Sequence, residues 1–281
     1  MENDHVSDAS ASSSPGPAIQ RLLFTDFEGQ PADPDDVIAD ALEGGYRKRQ
    51  DGVREVLRDP SADPYDRFLA CFALTRWADP AGYEAVIEAA RDPERVVWRG
   101  ASVDRWFGAD DTFAHLAEAV GRSDDMAAER GTGELRLEAA RALVRIADRV
   151  QFERRLLWIL DEASTAMFAE DLREVIGRAL QRLASPEAPG FDLGTQTAGL
   201  IGALACVDEA EAVAFARQLI ALNPGDRALR ELADVVARGR GPKTLALRDE
   251  LAALDVPRME KALQEALRSR ARRQEQRPQG G

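Results

Sequence analysis

Apolar positions recur with a helical period along most of the chain, and the densest stretch lies at residues 65–90. Phe68, Leu69, Cys71, Phe72, Ala73 and Leu74 are nearly continuous, and Trp77 follows Ala73 at i+4 and Leu74 at i+3. A helix apolar on so many sides is sandwiched between neighbours rather than laid on a surface. Asp63 is placed as its N-cap acceptor and Pro64 as its first helical residue, where a missing N–H costs nothing. Asp79-Pro80 then stops this helix and starts a second one. In that second helix Tyr83, Val86, Ile87 and Ala90 form one apolar stripe, with Glu84 and Glu88 off it. One helix pair with a stripe to spare cannot close a core, so copies are expected.

The same pattern predicts helices at 18–28, 34–42 and 46–57 before this pair. After it, helices are expected at 93–107, 110–120, 134–150, 151–162, 167–183, 193–206, 208–222, 226–237 and 244–254, with a last one opened by Pro257. Residues 121–133 read as a loop, with Gly, Ser and paired Asp. Gly194, Gly199 and Gly202 each cost a helix about 1 kcal/mol relative to Ala, which close helix–helix approach would offset. No alternating strand pattern with hairpin turns is present.

Ala-Leu cores fall near Leu74, Val103, Leu143, Leu180 and Leu204. The run from Asp66 to Leu74 followed by Asp79-Pro80, and the run from Leu137 to Leu143, resemble the HEAT-repeat (armadillo-like) superfamily, with the resemblance spread over residues 34–255. It implies an all-α fold, an irregular right-handed α-solenoid of antiparallel helix pairs. Uneven spacing and the 121–133 loop leave a compact multihelical bundle as the alternative. Three parts follow: a disordered tail at 1–17, a helical repeat domain at 18–257, and a basic helix at 258–281 fading into a tail.

The net charge of −13 works against nucleic acid and anionic membranes as partners, although residues 258–281 hold a local excess of four positive charges. Lys48, Lys243 and Lys261 are the only lysines, and the abundance of arginine reads as codon usage. The start of the chain lacks the basic and apolar regions of a signal peptide, and no apolar run approaches the roughly 18–20 residues that span a bilayer. A cytoplasmic protein is expected, with Cys71 and Cys206 as buried free thiols.

Candidate chemistry is sparse. His5 and His115 are the only histidines, no His/Cys cluster has zinc spacing, and Asp35-Asp36, Asp110-Asp111 and Asp124-Asp125 read as helix caps and turns. No catalytic residue, cofactor or metal is expected. Gly239-Arg240-Gly241-Pro242-Lys243-Thr244 ends like a phosphate loop, but Pro242 stands where that loop needs Gly and no strand precedes it, so a helix start is predicted. Arg76, Trp77, Trp98, Arg99, Arg105 and Trp106 combine the residue types enriched at binding hot spots, and stacked repeats would align them on one face. The expected function is a non-enzymatic protein–protein interaction module, an adaptor or regulator whose acidic surface suits a basic partner. The alternative is an enzyme on a HEAT-like scaffold, lyase-like or similar to alkylpurine DNA glycosylases, which Trp106 and Asp110 at i and i+4 resemble.

Overall fold

A computed structural model describes residues 15–103, 108–187 and 189–275. Helix α1 (Pro17–Leu23), α2 (Pro34–Asp40) and α3 (Tyr46–Arg58) precede the expected pair, α4 (Pro64–Arg76) and α5 (Pro80–Arg91). Both helices of that pair start as the sequence predicts: the Asp63 carboxylate accepts from Tyr65 N and the Asp79 carboxylate from Ala81 N, with proline in the first turn. Gly82 lets them close together, because a Cβ there would overlap the backbone of Leu74 and Thr75.

Beyond the pair come α6 (Thr112–Gly121), α7 (Asp124–Arg130) and α8 (Gly133–Arg145), then a 3-10 turn at Arg155–Trp158. They are followed by α9 (Glu162–Met167), α10 (Ala169–Leu183), α11 (Leu193–Leu204) and α12 (Glu209–Ala221). The last are α13 (Asp226–Glu231), α14 (Ala233–Arg238), α15 (Pro242–Ala252) and α16 (Met259–Glu275). The described residues are all-α, with two isolated bridges, Thr25 to Pro31 and Val103 to Asp110, and no named strand. None of their helices is long and apolar enough to cross a membrane.

Packing runs in two layers. One passes from α4 to α6, to the 3-10 turn, to α11, to α14 and to α16; the other passes from α5 to α8, α10, α12 and α15. Every residue of α11 is buried. Its glycines do what their cost requires: a Cβ on Gly202 would stand 2.9 Å from the Asp234 Cβ of α14. A buried amide on the same helix, Gln196, accepts from Phe152 N at 2.6 Å and donates to the Ala147 and Val150 carbonyls at 2.6 and 3.0 Å.

Those bonds explain one departure from expectation. Residues 151–162 do not form the continuous helix expected but hold only the 3-10 turn at 155–158 before α9, because the Gln196 amide takes backbone groups that a continuing helix would use, and Glu153 turns the chain at φ 50. Residues 93–103 are likewise not helical. Gly100 is left-handed at φ 71, and its N–H donates to the Asp110 carboxylate at 3.1 Å, which holds the segment as a loop. Conversely, the expected 121–133 loop contains α7, whose Met126 and Ala127 are buried and which Gly131 ends at φ 66. Residues 1–14 of the expected N-terminal tail lie outside the described residues, whereas Gly16 is already held by Asp66, its N–H donating at 3.0 Å. The predicted fading of the C-terminal helix is not seen through Glu275, since α16 buries Met259, Leu263, Ala266 and Arg270.

The N-terminal half is tied by one carboxylate. Asp79 is 1% exposed, accepts from Arg54 of α3 at 2.5 and 3.1 Å and from Arg130 of α7 at 3.2 Å, and caps α5. Arg130 also donates to the Trp77 carbonyl at 2.7 Å. Asp79→Ala is expected to lower the unfolding free energy by about 3–5 kcal/mol, because partly buried Arg130 loses its counter-charge, Arg54 keeps only the exposed Asp51, and α5 loses its cap. Glu250→Ala, which breaks an exposed pair with Arg217, should cost less than about 1 kcal/mol. Urea titrations at pH 7 compare the two, and equal losses would remove Asp79 from its central role.

Candidate functional site

Of the six residues nominated from sequence, the four that are described do not share one exposed face. Trp77 is fully buried, with its indole N–H donating to the Ile38 carbonyl at 3.0 Å, so it holds α4 to α2 and offers no surface to a partner. Trp98 is 4% exposed beneath Arg67, whose guanidinium lies 5.7 Å from the ring centre. Its indole N–H has no partner among the described residues. Arg99 is exposed and donates to the Glu94 carbonyl at 3.2 Å. Arg76 belongs to a different neighbourhood, donating to the Arg122 carbonyl at 2.5 Å. Arg105 and Trp106 lie outside the described residues.

Among the described residues the exposed indole is Trp158, which falls within the helix expected at 151–162. It is 48% exposed at the end of the 3-10 turn, with Arg122 stacked 4.7 Å from its ring centre. The turn packs closely on α6: a Cβ added to Gly121 would lie 3.2 Å from the Trp158 Cβ. Glu118 organises the arginines around it, 3.4 Å from Arg122 Nε and 3.6 Å from Arg155 Nε. One turn earlier on α6, His115 Nε2 lies 3.3 Å from the Asp111 carboxylate and edge-on to Phe68 and Phe72. Asp35 of α2 belongs to the same field. Burial raises its carboxyl above the usual carboxylate value, and Asp33 and Glu118 add to the rise while His115 opposes it. The signal in the sequence was Gly121 followed by Arg122 ahead of a lone tryptophan, and only the tertiary contact between them gives it meaning.

Other candidate chemistry is absorbed by the fold. Asp110 holds two backbone N–H groups, of Gly100 at 3.1 Å and of Thr112 at 3.0 Å, as expected of a turn residue. Among the described residues no group of His, Cys, Asp and Glu could hold a metal ion. Both cysteines are free, and burial pushes the Cys71 thiol up to about 12. The glycine loop before α15 does cradle an anion, and that anion belongs to the protein. The Glu209 carboxylate accepts from Arg240 N at 3.2 Å, from Thr244 N at 2.9 Å and from Gly241 N. Pro242 opens α15 as expected. The chain matches no protein-family model, no curated protein and no solved structure.

Burial works to raise the Glu209 carboxyl, but the N–H groups of Thr244, Gly241, Arg240 and Lys243 outweigh it and the net shift is downward from 4.5. A carboxylate lowered in the folded state stabilises above its unfolded value, and that contribution is lost as pH falls through the folded value. Wild type should therefore exceed Glu209→Gln in stability at pH 7, with the gap closing below about pH 4. Urea midpoints at the two pH values test this, and a gap independent of pH would contradict it.

Proposed function

We propose that the chain is a non-enzymatic protein-interaction module, an adaptor or regulator built as an irregular α-solenoid similar to HEAT repeats. The two layers support that reading, because each new helix packs on its predecessor in the same layer and pairs across to the other. Arginine links join successive helices of the second layer. Arg145 meets Asp171 at 2.6 Å between α8 and α10, Arg173 meets Asp208 at 3.1 Å at the start of α12, and Arg217 meets Glu250 at 2.5 Å between α12 and α15. Unpaired cysteines fit a reducing, cytoplasmic setting.

The half-exposed Trp158 ring under Arg122 carries the proposal. A large apolar face held on a rigid turn and flanked by guanidiniums is the composition of an interface anchor. The partner is a basic protein: its apolar anchor covers Trp158, and its cations meet Asp33 and Asp35 within an acidic chain. Asp110, on which the enzyme alternative rested, serves the fold as a turn residue by accepting from the N–H groups of Gly100 and Thr112.

Trp158→Ala should leave stability within about 1 kcal/mol of wild type, since it loses mainly the arginine stacking. It should weaken binding of the partner captured by wild type by about thirtyfold. Trp77→Ala should instead cost about 3–5 kcal/mol of stability. Titration calorimetry with the purified partner decides: unchanged affinity in Trp158→Ala moves the site elsewhere.

A further inference from the structure

Among the described residues, one small cavity is strongly positive although the chain is acidic. A space of about 260 Å³ beside α11 is lined by both signs of charge, but the cavity of about 200 Å³ where the end of α14 meets α16 is lined by Arg238, Arg240, Arg270 and Arg273, with Glu162 and Cys206. Four guanidiniums face one carboxylate there, in a chain of net charge −13.

The arginines are not equivalent. Arg270 is 8% exposed and fully engaged in the fold, donating to Val236 O at 3.3 Å, Thr244 Oγ1 at 2.8 Å, Arg240 O at 2.6 Å and Gly241 O at 3.1 Å. Arg240 is ion-paired with Glu162. Arg238 is half-buried, yet its hydrogen bonding among the described residues is a single long contact of 3.5 Å to the Leu160 carbonyl. Burial lowers its guanidinium below the ordinary value; Asp234, one turn earlier on α14 but outside ion-pair reach, opposes the fall, and Arg273 adds to it. Arg273 stands one turn beyond Arg270 on α16, exposed, with no ion pair among the described residues.

Several arginines elsewhere are compensated, although half-buried Arg76 also has a single carbonyl bond, a short one of 2.5 Å. Partly buried Arg54 and Arg130 share Asp79, Arg145 has Asp171, Arg178 has Asp148, and Arg49, which also lacks a carboxylate, makes three short bonds to carbonyls of 22, 25 and 26. A half-buried cation with neither kind of compensation is costly. Beside it, the same corner of the fold has already closed an anion nest with Glu209. The carboxylate that lines the arginine cavity, Glu162, is already paired with Arg240.

We propose that this cavity is a binding site for a phosphoryl group, either inorganic phosphate or the terminal phosphate of a small phosphomonoester. Two incompletely used guanidiniums from different helices match a doubly charged tetrahedral anion better than a single carboxylate, and the arginine fork pairs with phosphate oxygens two at a time. The volume admits a phosphate with a few further atoms and excludes a nucleic-acid strand or a peptide helix. Binding would relieve the repulsion between Arg238 and Arg273 and fasten α16 to α14.

Cys206 reports on occupancy, because its partly exposed thiol lines the cavity while Cys71 is fully buried and serves as the internal control. The experiment measures the rate of Cys206 alkylation by neutral iodoacetamide in the full chain, read by mass spectrometry, with inorganic phosphate, ribose 5-phosphate or acetate at constant ionic strength. The expected result is protection with a Kd of about 1 mM or tighter for at least one phosphate compound and none for acetate. Arg238→Gln and Arg273→Gln should each weaken it about tenfold, while Arg248→Gln on α15 leaves it unchanged. Equal protection by the two phosphates assigns the site to the free anion; stronger protection by the ester assigns it to phosphomonoesters. Absence of protection by both, or protection that survives in Arg273→Gln and in any folded Arg238→Gln, overturns the proposal.

Discussion

The buried carboxylate of Asp79 constrains the N-terminal half more than any apolar contact does. An isolated charge at that depth is costly, so Asp79 is tolerable only with Arg54 and Arg130 in place. Those two side chains come from α3 and α7, and Asp79 itself caps α5. Three helices distant in sequence are therefore held to one point. Arg130 also binds the carbonyl of Trp77, so the end of α4 and its largest side chain enter the same knot. Apolar packing alone could slide along the α4 surface, which is apolar on nearly every side. The carboxylate supplies the register.

The same device recurs beyond α8, and it gives the arginine content a structural use that codon usage alone does not. A guanidinium reaches two acceptors at fixed angles, which an ammonium cannot. Arg178 uses this to bind the Asp148 carboxylate and the Arg145 carbonyl together, at 2.8 and 2.6 Å, closing the end of α8 against α10. Arg173 spans Glu170, Asp208 and Glu211 and so joins α10 to the start of α12. Exposed pairs of this kind contribute little each, but they specify which helix follows which.

What was legible in the chain was local. Asp63-Pro64 and Asp79-Pro80 declare helix starts through side-chain caps and a fixed backbone angle, and both appear as read. The glycines of α11 declared close packing, and the helix is buried throughout. What failed was decided at a distance. Gln196 reaches back more than forty residues to remodel 147–152, and Asp110 captures Gly100 across a loop. The tryptophans failed for the same reason. An indole in an apolar helical stretch reads alike whether it is buried in the core, as Trp77 is, or lies open beneath Arg122, as Trp158 does. Exposure is a property of neighbours, and those neighbours are far along the chain.

The corner formed by α12, α14, α15 and α16 shows how such distant contacts separate structure from function. The glycine loop before α15 has the backbone geometry to hold an anion, and Glu209 fills it from α12, so its N–H groups stabilise the fold and are not free for a ligand. Arg270 completes the other side of that loop by binding the Arg240 and Gly241 carbonyls. Loop donors and acceptors are thus both satisfied from within. Among the described residues Arg238 and Arg273 stand against this closed unit without equivalent partners, so the positive charge left over is concentrated beside helical backbone. A cation held by a rigid surround pays little ordering entropy when an anion arrives, and for that reason the unused arginines are better placed for recognition than the far more numerous paired ones.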